Sequence, residues 1–297
     1  MTDVISTQPI VPPKARQPSR GFWSRLARMG RRDAVTLVCA AVLAVIVFVA
    51  VFAHWLAPAD PYHTSIANRL KPPGTPGYIL GTDELGRDML SRLMHGARLS
   101  LFMGLTPVIV ATFAGGLLGI VAGYAGGWVN TAIMRTMDVF YAFPSVLLAV
   151  AIAGSLGGGI RNGLIALCFV FTPSIARVAE SVTMQVKTQD YVEAARASGA
   201  RAHLILLHHV LRNVAGPILV FASSLVSVSI IIASGLSFLG LGVSLPEAEW
   251  GMMLSSMRQS IYVAPLNSIL PGIMIFVTSV CLNLLSDSIR STMNVKG

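Results

Sequence analysis

The sequence predicts an all-α membrane protein with six transmembrane helices, on three observations. Hydrophobic residues make up 54% of the 297 residues and charged residues only 12%, about half the charged share of a soluble domain. So few charges cannot cover the surface of a soluble protein of this length, and apolar side chains must therefore face lipid. The apolar residues also gather in runs of about 20 or more, the length that a helix needs to cross a bilayer, and basic residues flank these runs.

Six apolar runs meet this length criterion. The first, residues 34–57, contains no charge and follows a basic tail at residues 1–33. It is too long for a cleaved signal peptide and ends in bulky residues, so we expect a retained helix. The remaining runs predict spans at residues 99–124, 132–156, 163–184, 214–243 and 265–289, with a long outside loop at 58–98 and a five-helix core at 99–290.

The basic residues predict that both termini lie in the cytoplasm. Thirteen Lys and Arg residues fall in the tail, in the loop at 185–213 and at the C-terminal end, against seven in the outside segments. Cytoplasmic segments of membrane proteins carry this excess of positive charge. The net charge of +9 is therefore explained by topology, and we predict membrane lipid but no nucleic acid as a partner.

The sequence also indicates which chemistry the chain does not carry out. A P-loop requires a glycine directly before its lysine, and none of the four lysines has one. No Cys or His spacing typical of a metal site occurs, and no nucleophile–base constellation. We therefore predict that the chain is not an enzyme and binds no cofactor or metal. No span contains a series of Asp, Glu or His for proton relay, which weakens the alternative of a secondary transporter, and no selectivity filter for a channel appears.

Two pairs of charged residues lie inside the third and fourth predicted spans. Arg135 and Asp138 are three residues apart on the third span and so share a helix face, and Arg177 and Glu180 repeat this spacing on the fourth. Ionisable groups at membrane depth normally face a partner or water, which suggests a gate or helix pairing. The alternative is that both pairs lie near the cytoplasmic ends and extend towards water.

Small residues within the second span leave two interpretations open. Gly119 and Gly123 form a GxxxG pair, and small residues at this spacing let two helices approach closely. The pair belongs either to packing within the chain or to a dimer face.

The loop at 185–213 is predicted to form a helix–turn–helix. Asp190 and Glu193 have the spacing of a helix cap and its reciprocal partner, and Gly199 suits a helix end because glycine adopts the left-handed turn freely. Ala194 and Ala195 give the helix a small-residue face, so it can enter a cleft on another protein; otherwise it is an ordinary capped helix. A second amphipathic stretch places four apolar residues on one face: Leu204, Leu207, Leu211 and Val214.

This loop resembles a known family. Glu193-Ala194-Ala195 followed by Gly199 is similar to the EAA motif of ATP-binding-cassette (ABC) importer permeases, whose short helix docks into the ATPase subunit. The following His209-Val-Leu-Arg212-Asn resembles the H-V-L-P-N run of the family, with Arg212 in place of the proline, so the turn after the helix is left undetermined.

Three further stretches resemble the C-type permeases of peptide importers. They are the outside-loop sequence Leu80-Gly-Thr-Asp-Glu-Leu-Gly86-Arg-Asp, the third-span sequence from Met134 to Pro144, and the outside hairpin from Leu236 to Gly251. The resemblance covers roughly residues 30–290. It implies a type I ABC importer permease fold in a bacterial inner membrane.

The resemblance also implies the partners and the cargo. A homologous permease subunit would supply the second half of the pathway, two ATPase subunits would bind ATP and magnesium, and a periplasmic or lipid-anchored binding protein would deliver cargo. The cargo implied is a dipeptide or oligopeptide; similar permeases carry nickel chelates, opines, glutathione or sugars.

Two outside segments carry candidate contact residues, each with an alternative. Asp83, Gly86, Arg87 and Asp88 form either a contact for cargo or binding protein, or a local salt-bridged turn that caps the next helix. The segment 245–262 carries Glu247, Glu249, Trp250 and Arg258 and is a candidate contact for the binding protein. The alternative for Trp250 is an anchor at the membrane interface.

Overall fold

Five of the six apolar runs form continuous helices in the structure, a computed structural model that describes residues 34–294. The predicted basic tail, residues 1–33, lies outside the described residues. A helix satisfies its backbone hydrogen bonds internally, which is the condition for crossing lipid. Over the described residues the helices are α1 (Ala34–Leu56), α2 (Met89–Ala125), α3 (Gly127–Tyr141), α4 (Ser145–Leu156), α5 (Ile160–Lys187), α6 (Asp190–Ala197), α7 (Ala202–Phe238), α8 (Trp250–Met257) and α9 (Pro265–Asn294).

The third predicted span, residues 132–156, is not one helix. It is divided into α3 and α4, whose axes differ in direction by 89°. Pro144 explains the break, because proline has no N–H to donate and its ring clashes with the carbonyl four residues earlier; α4 starts at the next residue, Ser145. Within the described residues, five helices are long and apolar enough to span a membrane, and the bent pair is a sixth candidate.

Two other predicted spans begin earlier than hydropathy indicates. α2 starts at Met89 rather than Leu99 because the Asp88 carboxylate accepts the N–H of Ser91 and caps the helix. α7 starts at Ala202 rather than Val214 because helical backbone continues through the polar stretch before the apolar run. It ends at Phe238 rather than Val243, and Gly240 adopts a left-handed φ of +79° just beyond.

Close packing of α2 against α5 forms the centre of the bundle. Gly115, Gly119 and Gly123 lie along one side of α2, and a Cβ atom added at any of the three would fall within 3 Å of α5 backbone oxygens. The GxxxG pair therefore serves packing within the chain rather than a dimer face. Because no side chain separates the two backbones, the relative position of α2 and α5 is tightly constrained.

The bundle has two distinct ends. At one end, which we call the α6 end, Lys187 of α5 donates to the carbonyl oxygen of Tyr124 at the end of α2, 2.7 Å away, and α6 follows directly. At the opposite end, the α8 end, α8 packs against α7 and α9. The first helix, α1, lies at the edge of the bundle and contacts α2 and α9.

Candidate functional site

At the α6 end, the predicted helix–turn–helix forms, but its cap differs from the prediction. α6 begins at Asp190, and the cap position is taken by Gln189, whose side chain makes no capping hydrogen bond. The predicted reciprocal capping between Asp190 and Glu193 is therefore absent, because Asp190 already has helical geometry. Both carboxylates still lie in the first turn, where the positive end of the helix dipole stabilises negative charge.

One residue anchors α6, and the predicted coupling residues face outwards. Val192 is fully buried in the main core, and Ala195 is half-buried against the same core. Asp190, Glu193, Ala194 and Gly199 are exposed, and we call these four residues the α6 surface. A Cβ atom at Gly199 would meet nothing within 4 Å, although its φ of +79° is the left-handed value predicted for a helix end.

The predicted apolar face at the start of α7 is wrong. Val214 is buried as predicted, but Leu204, Leu207 and Leu211 are exposed, and Ile205 and Val210 are buried instead. The cause is a π-helical turn at Leu206–Val210, which adds a residue to the turn and rotates the following side chains relative to a 3.6-residue period. The three leucines therefore provide apolar surface beside α6, whose Tyr191 ring lies 6.2 Å from that of His209.

The helix continues through Arg212. This residue, which replaces the family proline, lies inside α7, and the next side chain, Asn213, donates from Nδ2 to the carbonyl oxygen of His209. The turn that the sequence left undetermined is therefore a π-helical turn just before Arg212, and the helix does not break there.

Asp138 of α3 pairs with arginines of both helices, which agrees with the predicted role in helix pairing. Arg135, also on α3, approaches Asp138 to 3.8 Å, and Arg177 of α5 donates from Nη2 to Oδ1 of Asp138. Arg177 also lies 4.5 Å from the centre of the Tyr141 ring, a distance typical of a cation–π contact. Arg177 and Glu180 share a face of α5 but bond to different residues of α3.

Glu180 instead bonds to the beginning of α3. Its Oε1 accepts from Nδ2 of Asn130 at 2.8 Å. Asn130 and Asp138, eight residues apart on α3, thus contact two residues that are only three apart on α5. Between these two helices lies a cavity of about 360 Å³. It is lined by Asn130, Thr131, Met134, Arg135, Asp138, Arg177 and Glu180.

At the α8 end, the predicted contact residues are buried. The Asp83 carboxylate accepts the N–H groups of Leu85 and Arg87 at 2.9 Å each, and forms an ion pair of 2.6 Å with Nε of Arg87. Gly86 permits this turn, because its φ is +73° and a Cβ atom would lie 1.9 Å from the carbonyl oxygen of Ser65. Since Asp83, Arg87 and Asp88 are all buried, the geometry favours the salt-bridged capping turn over a contact with cargo or binding protein.

Trp250 is likewise unavailable for either of its predicted roles. It is fully buried, and its indole Nε1 donates to the carbonyl oxygen of Leu93 at 3.1 Å. As the first residue of α8 it packs against α2, and therefore neither anchors the chain at the membrane interface nor meets a binding protein.

Two further charged residues at this end are buried, Arg92 and the predicted contact residue Glu249, and the sequence did not predict their burial or their partners. Arg92 donates to the carbonyl oxygen of Pro61 at 3.0 Å and lies 3.3 Å from Asp83, so it ties the outside loop to α2. Glu249 caps α8 by accepting the N–H groups of Gly251 and Met252, and it also accepts from Ser100 of α2 at 3.0 Å. Burial raises the pKa of the Glu249 carboxyl, and these hydrogen bonds partly offset that rise.

Burial and a neighbouring carboxylate also act on Tyr62 in the outside loop. Its hydroxyl donates to Oε2 of Glu247 at 3.1 Å, and burial and the charge of Glu247 raise the pKa of the Tyr62 hydroxyl. The outside loop and the segment before α8 are thus joined by polar contacts, which no local sequence pattern reveals.

Comparison with known proteins gives one consistent result. Residues 115–294 match the family described as "Binding-protein-dependent transport system inner membrane component". Residues 21–73 match the "N-terminal TM domain of oligopeptide transport permease C".

Two curated relatives and one solved structure agree with these matches. The chain is 37% identical over 294 residues to the glutathione transport system permease protein GsiD of Pectobacterium atrosepticum, covering 99% of this chain and 96% of that protein. It is 43% identical over 256 residues to the di/tripeptide transport system permease protein DppC of Pseudomonas aeruginosa, covering 84% of each.

The fold is similar to a chain of the MetNI methionine ABC transporter in an inward-facing conformation. The TM-score is 0.57 at 16% identity, covering 69% of this chain and 97% of the other. The chain thus belongs to the binding-protein-dependent inner membrane permeases of ABC importers, in the oligopeptide permease C group, the transport component without an ATPase domain.

Proposed function

We propose that this chain forms half of the translocation pathway for short peptides, and that the α6 surface transmits the motion of a separate ATPase to the spans. The observation that carries the proposal is the placement of α6. It lies between α5 and α7, is anchored by the buried Val192, and presents small exposed residues with the exposed leucines of α7 beside them. A partner bound to this surface would displace α5 and α7 together, because the anchor joins α6 to the core.

The complete transporter requires other chains. A homologous permease supplies the other half of the pathway, two ATPase subunits bind ATP and magnesium, and a periplasmic or lipid-anchored binding protein delivers cargo at the α8 end. The α6 end and both termini lie on the cytoplasmic side. ATP binding closes the ATPases, and the permease pair shifts between two arrangements because the closed ATPases bind one of them better.

Short peptides are the cargo that the relatives support. One relative is named as a glutathione transport permease and another as a di/tripeptide transport permease. Glutathione is itself a tripeptide. We expect the binding protein that works with this chain to bind di- or tripeptides, with glutathione as the second candidate. Competition of labelled dipeptide uptake by unlabelled glutathione distinguishes a shared cargo range from a narrow one.

The coupling role is tested by two matched glycine substitutions. Gly199 and Gly240 both adopt a left-handed φ of +79°, and a Cβ atom at either meets nothing within 4 Å. Each follows a helix end closed by the same kind of backbone hydrogen bond, from Ala200 to Ala195 and from Leu241 to Leu236. Gly199 belongs to the α6 surface, whereas Gly240 follows α7 near the α8 end. Backbone strain from Asp is therefore similar at both positions, and only Gly199→Asp places a charge on the docking surface.

We expect Gly199→Asp to reduce ATP-driven uptake by about tenfold or more in the reconstituted transporter, the scale of a typical coupling energy. Insertion of the chain into the membrane should be unchanged, and Gly240→Asp should transport normally. Glu193→Lys tests the same surface by charge reversal. Normal uptake by Gly199→Asp or Glu193→Lys would show that the docking assignment is wrong.

A further inference from the structure

The charged groups of α3 and α5 mark a face of the bundle that does not meet lipid. The side chains of Arg135, Arg177 and Asp138 are 80%, 49% and 41% exposed. All four charged residues lie in helices that are candidate membrane spans. Charged groups within spans face water or protein rather than lipid, so we expect this face to border the pathway or the second permease.

The cavity between α3 and α5 opens on this face. Its volume of about 360 Å³ falls within the range of about 300–1,000 Å³ that small-molecule sites occupy. Two of its lining side chains are acidic and two are basic. A cavity of this kind complements a zwitterion better than an ion of either sign.

The free acidic and basic groups lie at different points along the cavity. Glu180 is bonded to Asn130, and Arg135 lies five residues further along α3. Five residues of helix rise by about 7.5 Å. An extended di- or tripeptide spans about 7–11 Å, so its two charged ends can approach groups of opposite sign at the same time.

Two of these groups retain capacity to bind a ligand. Arg135 is the most exposed of the four, and the 3.8 Å that separates it from Asp138 exceeds hydrogen-bond length. Asn130 occupies Oε1 of Glu180, and Oε2 accepts no hydrogen bond from the described residues. Asp138 and Arg177, by contrast, are engaged with each other and hold α3 against α5.

We propose that this cavity binds the zwitterionic backbone of a short peptide in transit, with Arg135 pairing with the terminal carboxylate and Glu180 with the terminal ammonium. This inference rests on the proposed function, because it names the contacts of the peptide cargo. The cavity serves as a binding site of the permease itself, separate from recognition by the binding protein. The competing interpretation is a structural latch, in which the charges only hold α3 and α5 together.

The test measures binding of defined probes to the assembled transporter without its binding protein. Dialanine, its C-terminal amide and its N-acetyl derivative are titrated by ligand-observed NMR against the complex of both permeases and both ATPases in nanodiscs. The variants are Arg135→Gln and Glu180→Gln; glutamine at 180 keeps an acceptor oxygen for Asn130. Arg161→Gln, which alters an exposed arginine near the opposite end of α5, is the matched control.

We expect Arg135→Gln to weaken dialanine binding by about tenfold, as for the loss of one charge-assisted hydrogen bond, and to leave binding of the C-terminal amide unchanged. Glu180→Gln should weaken dialanine binding similarly and leave that of the N-acetyl derivative unchanged. The control should bind all three probes as the unaltered complex does.

Three outcomes would overturn the proposal. The first is that the unaltered complex does not bind dialanine. The second is that Arg135→Gln binds dialanine as tightly as the unaltered complex. The third is that a variant loses affinity for all three probes to the same degree. In the latch interpretation, exchanging the charges of Asp138 and Arg177 restores transport that either single change removes, while Arg135→Gln has no effect on binding. ATP-driven dipeptide uptake by the unaltered transporter is measured in parallel, so that failure of the site is distinguished from failure of the proposed function.

Discussion

The contact of α2 with α5 gives the sharpest stability prediction, at Gly119. In Gly119→Ala the new Cβ atom would lie 2.2 Å from the carbonyl oxygen of Ala176, 2.7 Å from Cβ of Ala179 and 2.9 Å from the backbone nitrogen of Glu180. The nearest obstacle is backbone, so no side-chain rotation relieves the clash. α2 and α5 must separate by about 1 Å, and overpacking of this kind typically costs about 1–3 kcal/mol.

Gly116 provides the matched control. It lies on the same helix, three residues earlier, and a Cβ atom there meets nothing within 4 Å. Alanine is favoured over glycine in a helix interior by about 1 kcal/mol, and this gain applies to both substitutions. We therefore expect Gly116→Ala to be neutral or stabilising and Gly119→Ala to be destabilising, with a difference of about 1–3 kcal/mol between them from the clash.

The assay is unfolding of the purified chain in mixed micelles, followed by helical circular dichroism as the fraction of denaturing detergent rises. Gly119→Leu should unfold earlier still, because the added side chain enlarges the clash. Equal midpoints for Gly119→Ala and Gly116→Ala would refute the assigned packing of α2 on α5, and would indicate that the GxxxG pair faces another chain.

The remaining predictions concern the buried charges at the α8 end. Asp83→Asn should destabilise the chain by about 3 kcal/mol or more, because it removes the carboxylate that pairs with two buried cations, Arg87 and Arg92, and leaves Arg87 with Glu84 alone; the same detergent titration measures this. Glu249 should make stability depend on pH. Burial raises the pKa of its carboxyl in the folded state, so its contribution to stability is complete at acidic pH and decreases as pH rises through the folded-state value. Glu249→Gln should reduce the dependence of stability on pH above the ordinary pKa range of glutamate. Thermal unfolding at a series of pH values measures this.

Each of these predictions has an opposing result. Glu247→Gln, which alters an exposed carboxylate bonded to Tyr62, is the control and should unfold like the unaltered chain. If Asp83→Asn also unfolds like the unaltered chain, the buried ion pair contributes little to the stability of the outer turn. If Glu249→Gln keeps the full pH dependence of the unaltered chain, another group is responsible for it.

Hydropathy and composition predicted most of the fold because the length of an apolar run is a local property. α1, α5 and α9 begin within three residues of the predicted starts. The small exposed residues of α6 were also predicted, since a helix end at Gly199 and the alanines before it follow from local backbone preferences. The break at Pro144 lay within reach of the sequence, but an unbroken apolar run concealed the change of direction between α3 and α4.

The sequence by itself determined that this chain spans a membrane, approximately which segments do so and which short helix exposes small residues, because each depends on neighbours along the chain. Only the tertiary structure decided which groups meet. The pairing of Asp138 with Arg177, the burial of Arg92 and Glu249, and the role of Gly119 all depend on residues distant in sequence. The π turn at Leu206–Val210 shifted the apolar face of α7 for a similar reason, since the packing of a helix can override the period that its own sequence suggests.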